Sequence, residues 1–139
     1  FKYFEWKYPE KVAARIYYND KESHDIYAGS DFYLMPSISE PCGISQLIAM
    51  RYGSLPIVRE AGGLKDTVIP YNEYTGEGTG YSFANINAHE LLFAAKNAID
   101  VYNNKKDTHR RLIENAMEQK NDWEKSSEKY MEMYEKIKA

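Results

Sequence analysis

A single cysteine, Cys42, stands in 139 residues. That excludes an internal disulfide framework and fits a reducing compartment. Long apolar runs are missing too. None approaches the roughly 18–20 residues of a membrane span, and no signal-peptide pattern is present. Positive charge is not in excess: the formal net charge of −3 argues against general affinity for nucleic acid or anionic membranes. His24, His89 and His109 are scattered without metal-ligand spacing, so surface or packing roles are expected for them, and no metal or cofactor. Internal repeats and low-complexity segments are lacking. The chain opens at Phe1, without an initiator methionine and inside a helix-like stretch, so it reads as a piece of a longer protein.

What is present is ordinary for one globular domain, with 43% hydrophobic and 28% charged residues in a length that can bury its own core. Residues 11–18 (KVAARIYY) read as a buried strand stopped by Asn19 and Asp20. Residues 21–29 read as a short helix with Gly29 at C′. Residues 32–36 (FYLMP) are the second strand and residues 43–52 the second helix. There Ile44, Leu47, Ile48 and Arg51 share a face at helical spacing. Residues 55–58 (LPIV) make a third strand with Pro56 at its entry. A short helix at 64–69 follows.

Residues 70–80 (PYNEYTGEGTG) carry a Gly-x-Gly-x-Gly spacing. A strand at 81–84 follows rather than a helix, so a mobile loop is the better reading than a phosphate loop. A helix over 87–103 has Leu91, Leu92, Ala95, Ala98, Ile99 and Tyr102 on one side and Asn87 as cap. Helices over 108–119 and 123–138 close the chain, the last with a buried stripe of Trp123, Tyr130, Met131 and Tyr134. Arg59 and the mixed charges of these helices read as solvated faces. Four alternations of strand and helix predict an α/β fold: a Rossmann-like, three-layer α/β/α parallel sheet with helices on both faces.

The chain is organised around residues 37–53 (SISEPCGISQLIAMRYG). A strand that turns sharply into a helix sets its last residues at the carboxyl edge of a parallel sheet, where open α/β folds bind ligands. The amides from about Gly43 to Gln46 are free at the helix start and suit an anion such as phosphate. Glu40, just outside, only accepts hydrogen bonds, and the pair suits a sugar held beside a phosphate.

The run SEPCGISQLIAMRYGSLPIVREAGGLKDTV resembles the bacterial glycogen synthase and plant starch synthase family. Its hallmarks are a Glu-Pro-Cys-Gly turn (40–43), a Gln-Leu helix (46–47), a Tyr-Gly-x-x-Pro strand (52–56) and a Gly-Gly-Leu-x-Asp-Thr-Val turn (62–68). RIYYNDKESHDIYAGSD upstream and DWEKSSEKYMEMYEKI at the close also resemble the family, so the likeness covers nearly the whole chain. It implies the GT-B arrangement, two Rossmann-like domains facing a cleft. Residues 1–139 would be the C-terminal, nucleotide-sugar-binding part, with the N-terminal acceptor domain absent. The implied activity is transfer of glucose from ADP-glucose to the non-reducing end of an α-1,4-glucan such as glycogen, with retention. The implied location is cytoplasmic, or plastid in a plant.

The resemblance also implies roles. Glu40 is the essential catalytic glutamate set against the donor glucose, where its charge favours a cation-like transition state. Cys42, Gly43 and Ile44 would act through backbone amides toward sugar and phosphate, and Ser45 through its hydroxyl. Cys42 itself reads as a semi-buried thiol, with no local histidine to make it a nucleophile. Tyr18 matches the tyrosine that stacks on adenine in bacterial relatives, while the neighbouring Tyr17 stands where relatives often have glycine. Ile48 replaces a second glutamate found in related glycosyltransferases, which leaves one carboxylate. Gly62 and Gly63 are expected to serve close backbone packing, with Asp66 capping. Alternatives are a glycosyltransferase of the same architecture using another nucleotide sugar, and a non-catalytic nucleotide-sugar or glucan-binding module. A doubly wound domain cut in this way would carry an open strand edge, with weak stability or self-association expected.

Overall fold

The computed structural model describes residues 1–138. Three short strands, β1 (Phe32–Met35), β2 (Leu55–Arg59) and β3 (Tyr81–Phe83), form one sheet in the order β1-β2-β3. Both pairings are parallel, with Phe32 opposite Leu55 and Ile57 opposite Tyr81. Helices α1 (Lys2–Lys7) and α2 (Asp20–Gly29) precede the sheet. Between and after its strands run α3 (Ser45–Arg51), α4 (Gly63–Thr67), α5 (Ala88–Asn104), α6 (Lys106–Glu118) and α7 (Trp123–Lys138). The expected parallel α/β fold is present, with packing on both faces of the sheet.

Alternation along β2 divides the core. Leu55 and Ile57 join Tyr81, Phe83, Met50 of α3, Ala94, Ala98 and Val101 of α5, and Leu112 and Ala116 of α6. Val58, on the other face, packs with Leu64 and Val68, and Met35 leans on them. On α5, Ala98 of the expected stripe is buried and Leu91 and Ala95 pack against the same core, joined by Ala94 and Val101, while Leu92 and Ile99 are exposed. Asn87 caps α5 as expected, its side chain accepting from Glu90 N at 2.9 Å. The backbone amides of Asn85 and Ala84 in turn donate to the Glu90 carboxylate and hold it below the usual range.

Several expectations need correction. Residues 12–18 form no regular element and pair with no strand among the described residues, so the sheet has three strands rather than four. The Ala14 amide donates instead to Glu5 Oε1 at 2.9 Å, and Ile16, Tyr17 and Tyr18 are exposed. Asn19 is not a stop; its side chain accepts from Glu22 N at 3.1 Å and starts α2. Gly29 is the last helical residue, and Ser30 follows it as the cap in an extended conformation. Pro56 does stand at the entry of β2, the second of its five residues. The Leu55 amide donates toward β1, to Asp31 O at 3.0 Å, so the proline ring faces the other side. There the β3 ladder begins one residue later, at Ile57, and no donor is missed. The stripe expected on α7 is not buried: Trp123, Tyr130, Met131 and Tyr134 are all exposed, and the helix buries none of its residues.

The loop over 70–80 is closed on itself by backbone bonds from Tyr71 N to Gly80 O at 2.8 Å and Asn72 N to Glu77 O at 2.8 Å. His109 takes a packing role, buried against the rings of Phe32 and Tyr102. That burial lowers its pKa from 6.5; the Asp31 charge works the other way, and Lys106 reinforces the shift. With the folded value depressed, the unfolded chain takes up the proton first, so the contribution is intact above the unfolded pKa and is lost as pH falls below it. The midpoint of thermal unfolding should therefore drop from pH 7.5 or so to about 5.5, and His109→Gln should flatten this acid limb. An acid limb unchanged by the substitution would place the proton uptake elsewhere.

Candidate functional site

The candidate site is built where two strand-to-helix turns meet. After Met35 the chain runs through Pro36 into a turn at 37–44, and α3 starts at Ser45, two residues later than expected. Gly43 sets that start. Its φ of +74° is left-handed, closed to a helix, and suited to glycine. A Cβ there would also stand 2.6 Å from Gln46 Oε1. Ile44 O receives the first helical bonds, from Leu47 N at 2.9 Å and Ile48 N at 3.0 Å, so the amides of Ser45 and Gln46 precede the ladder. No side chain caps this end.

The turn after β2 lies directly beneath. Gly62, with φ +48°, leads into α4, and Gly63 N donates to Glu40 O at 3.3 Å. A Cβ on Gly62 would fall 1.9 Å from Glu40 O, and one on Gly63 would fall 2.1 Å from Cys42 O. Only bare backbone fits both places. The close packing expected of these glycines is what the fold contains. Asp66, by contrast, is exposed, and α4 has no side-chain cap.

Two side chains tie the turns together, and neither was placed in the site by the sequence reading. Arg59, expected in a solvated face, is half-buried, and its Nη1 donates to Ser37 O at 3.1 Å and Ile38 O at 2.6 Å. Gln46 is fully buried, and its Nε2 donates to Gly43 O at 2.9 Å and Thr67 Oγ1 at 3.1 Å. Thr67 Oγ1 passes the chain on to Gly63 O at 2.6 Å. The available signal for Gln46 was a polar residue three positions after a turn glycine, beside the apolar Ile44, Leu47 and Ile48. Arg59 gave none, because an arginine closing a strand is usually solvated.

Glu40, Cys42, Gly43, Ile44 and Ser45 thus sit on one turn. Glu40 is half-buried and Ile44 is 66% exposed. Cys42 is exposed rather than semi-buried, because its carbonyl, not its thiol, faces Gly63. Ser45 Oγ turns back toward β1 and donates to Met35 Sδ at 3.3 Å. Tyr18 is not brought to this turn. It is 90% exposed on the irregular segment before α2, in a shallow recess with Arg15, Tyr17, Glu22 and Ile26. Tyr17 beside it donates to Glu22 Oε2 at 2.6 Å, and that bond raises the phenol's pKa. Among the described residues no group of three or more His, Cys, Asp or Glu side chains could hold a metal. A groove of about 540 Å³ runs between α3 and the end of α6, lined by Leu47, Ile48, Arg51 and Met117 and not by Glu40. The chemistry-bearing turn is therefore an open edge: one acceptor-only carboxylate beside unclaimed amides, able to hold hydroxyls and an anion side by side.

Residues 7–119 match the family model of glycosyl transferases group 1. Among curated proteins the chain is similar to the glycogen synthase of Finegoldia magna, 61% identical over 99% of this chain and 28% of that protein. It is 56% identical to the glycogen synthase of Clostridioides difficile, again over 99% of this chain and 28% of the relative. Among solved structures it resembles the catalytic domain of starch synthase IV from Arabidopsis thaliana, bound to ADP and acarbose. The TM-score is 0.83 at 34% identity, over 97% of this chain and 28% of that one. The chain therefore spans 28% of the length of these relatives.

The packing of the two turns predicts a specific asymmetry among glycines. Gly63→Ala should destabilise the fold by about 1–3 kcal/mol or more, since a backbone carbonyl must move to admit the methyl. Gly29→Ala, with nothing within 4 Å of the added carbon, should be neutral or slightly stabilising. Urea unfolding midpoints would check both, and equal midpoints for the two variants would remove the packing argument.

Proposed function

We propose, from the premise that this chain belongs to the group 1 glycosyl transferases, that it is the C-terminal, donor-binding part of a glycogen or starch synthase. The parent would transfer glucose from ADP-glucose to the non-reducing end of an α-1,4-glucan with retention. The observation that carries this reading is 61% identity to a glycogen synthase over 99% of the chain. An N-terminal acceptor domain, lying outside this chain, supplies the facing wall of the cleft. This chain alone is inactive, and the parent works in the cytoplasm, or in the plastid in a plant.

In this reading Glu40 accepts hydrogen bonds from the donor glucose and orients its anomeric carbon toward the acceptor. Its negative charge offsets positive charge developing at that carbon as the nucleotide leaves. The amides of Cys42, Gly43 and Ile44 and the hydroxyl of Ser45 face the phosphates; for that, Ser45 Oγ rotates away from Met35. Tyr18 stacks on the adenine once its segment is brought against the nucleotide. With Ile48 where a second glutamate would stand, a two-carboxylate scheme has no second partner.

The test uses the full-length parent. Glu40→Ala should lower glucose transfer by at least about 100-fold, as loss of a group aimed at developing charge does. Transfer that survives would leave a binding module as the better reading. An NMR titration with ADP, and UDP as control, should shift Tyr18 and residues 43–46 selectively with ADP. An equal response to both nucleotides would favour the same fold acting on another nucleotide sugar.

A further inference from the structure

Arg59 spends its charge in an unusual way. The ion pairs among the described residues are Arg15–Glu22 and His24–Asp20, and neither involves it. The adjacent carboxylate, Glu60, is occupied by Ser82 Oγ at 2.7 Å. Arg59 Nε is buried and has no partner among the described residues. What the guanidinium does hold is backbone: Ser37 O and Ile38 O, both through Nη1. Charge-assisted bonds of this kind are about twice as strong as neutral ones.

The two carbonyls lie two and three residues before Glu40, whose own carbonyl accepts from Gly63 N at 3.3 Å. Ser39 alone separates the two anchorages. The path of the backbone that presents the Glu40 carboxylate is thus set from β2 on one side and from α4 on the other. The second anchorage is main chain to main chain and depends on Gly62 and Gly63 lacking side chains. The first is a single side chain.

We infer that Arg59 is a positioning residue for the Glu40 carboxylate, acting through the carbonyls of Ser37 and Ile38. This rests on the role proposed for Glu40. Because the effect is on alignment in the transition state, it belongs in kcat rather than in donor binding.

The experiment compares Arg59→Ala, Arg59→Lys and Glu40→Gln in the full-length parent, reading kcat and the donor KM with and without added guanidinium chloride at sub-denaturing concentration. Arg59→Ala should lower kcat about 10- to 100-fold, the loss that misplacement of a catalytic group by an ångström brings. Its donor KM should change little. Added guanidinium should restore part of the rate, and Arg59→Lys, which can still reach one carbonyl, should lie between the two. Glu40→Gln should lose rate that guanidinium cannot restore. An Arg59→Ala enzyme with wild-type kcat, or with its loss confined to KM, would overturn the inference while leaving Glu40 in place. So would a loss that tracks unfolding and responds neither to guanidinium nor to lysine. If Arg59→Ala does not fold, Arg59→Lys decides: wild-type kcat in that variant counts against the inference, and a lowered kcat at unchanged thermal stability supports it. Full activity in Glu40→Gln would remove the role of Glu40, and this inference with it.

Discussion

Two strand-to-helix turns occupy a volume that has room for only one set of side chains. The 37–44 turn carries the groups proposed to act on the donor, and the Gly62-Gly63 turn gives up side chains altogether so that its backbone can lie against Glu40 and Cys42. Most of what is specific about this edge of the sheet depends on that contact. It fixes the height of the Glu40 carbonyl over α4. It directs the Cys42 carbonyl inward and leaves the thiol outside. It also brings Thr67 within reach of Gln46, so that a buried amide can be satisfied in part by α4. A residue with a β-carbon at either glycine would separate the turns and undo each of these at once.

The same contact explains why so short a sheet can hold a site. Strands of four, five and three residues bury little by themselves. The large cluster on one face of the sheet, running from Met50 to Ala116, supplies the bulk of the packing. The smaller cluster of Val58, Leu64 and Val68 holds α4 on the opposite face. Leu64 is fully buried one residue after Gly63, so the hydrophobic anchor of α4 and its backbone contact with the Cys42 carbonyl are neighbours in sequence. Core packing and site geometry are here one arrangement, seen from two sides of the α4 backbone.

How much of this was legible in the sequence follows from what each feature depends on. The turn at 40–43 and the glycine pair could be read because their conformations need particular residues: left-handed φ at Gly43 and absent β-carbons at 62 and 63. The cap of α5 was legible for the same local reason. Residues 12–18 were misread because Val12, Ile16 and the two tyrosines have strand propensity, whereas a strand exists only beside a partner. The stripe on α7 failed likewise: spacing marks an apolar face and does not say what covers it. Pro56 at the entry of β2 was legible from a rule about missing donors, whereas which side of the ladder its ring faces cannot be seen in one strand alone. Arg59 was hidden most completely, since its partners are backbone carbonyls that carry no sequence signature; Gln46 was visible as part of a motif, but its ties to Gly43 O and Thr67 Oγ1 were not.

The ties that hold the turn are all drawn from near at hand. Arg59 reaches back 21 residues to Ile38, Gln46 reaches forward 21 to Thr67, and Gly63 meets Glu40 across a similar span. The unit from β1 to α4 therefore closes on itself and holds the backbone around Glu40 in place. Tyr18 itself makes no such contact; its segment is tied through Ala14 to α1 and through Arg15 and Tyr17 to Glu22 of α2, while its own ring stands in solvent. This division matches the demands of the two tasks proposed for them. A carboxylate that answers developing charge must be in place before the reaction, because reorganisation during it would cancel the gain. A ring that stacks on a base can settle after binding, since stacking tolerates approach from a range of positions. The anchored half of the proposed site is thus the half whose chemistry requires a fixed position.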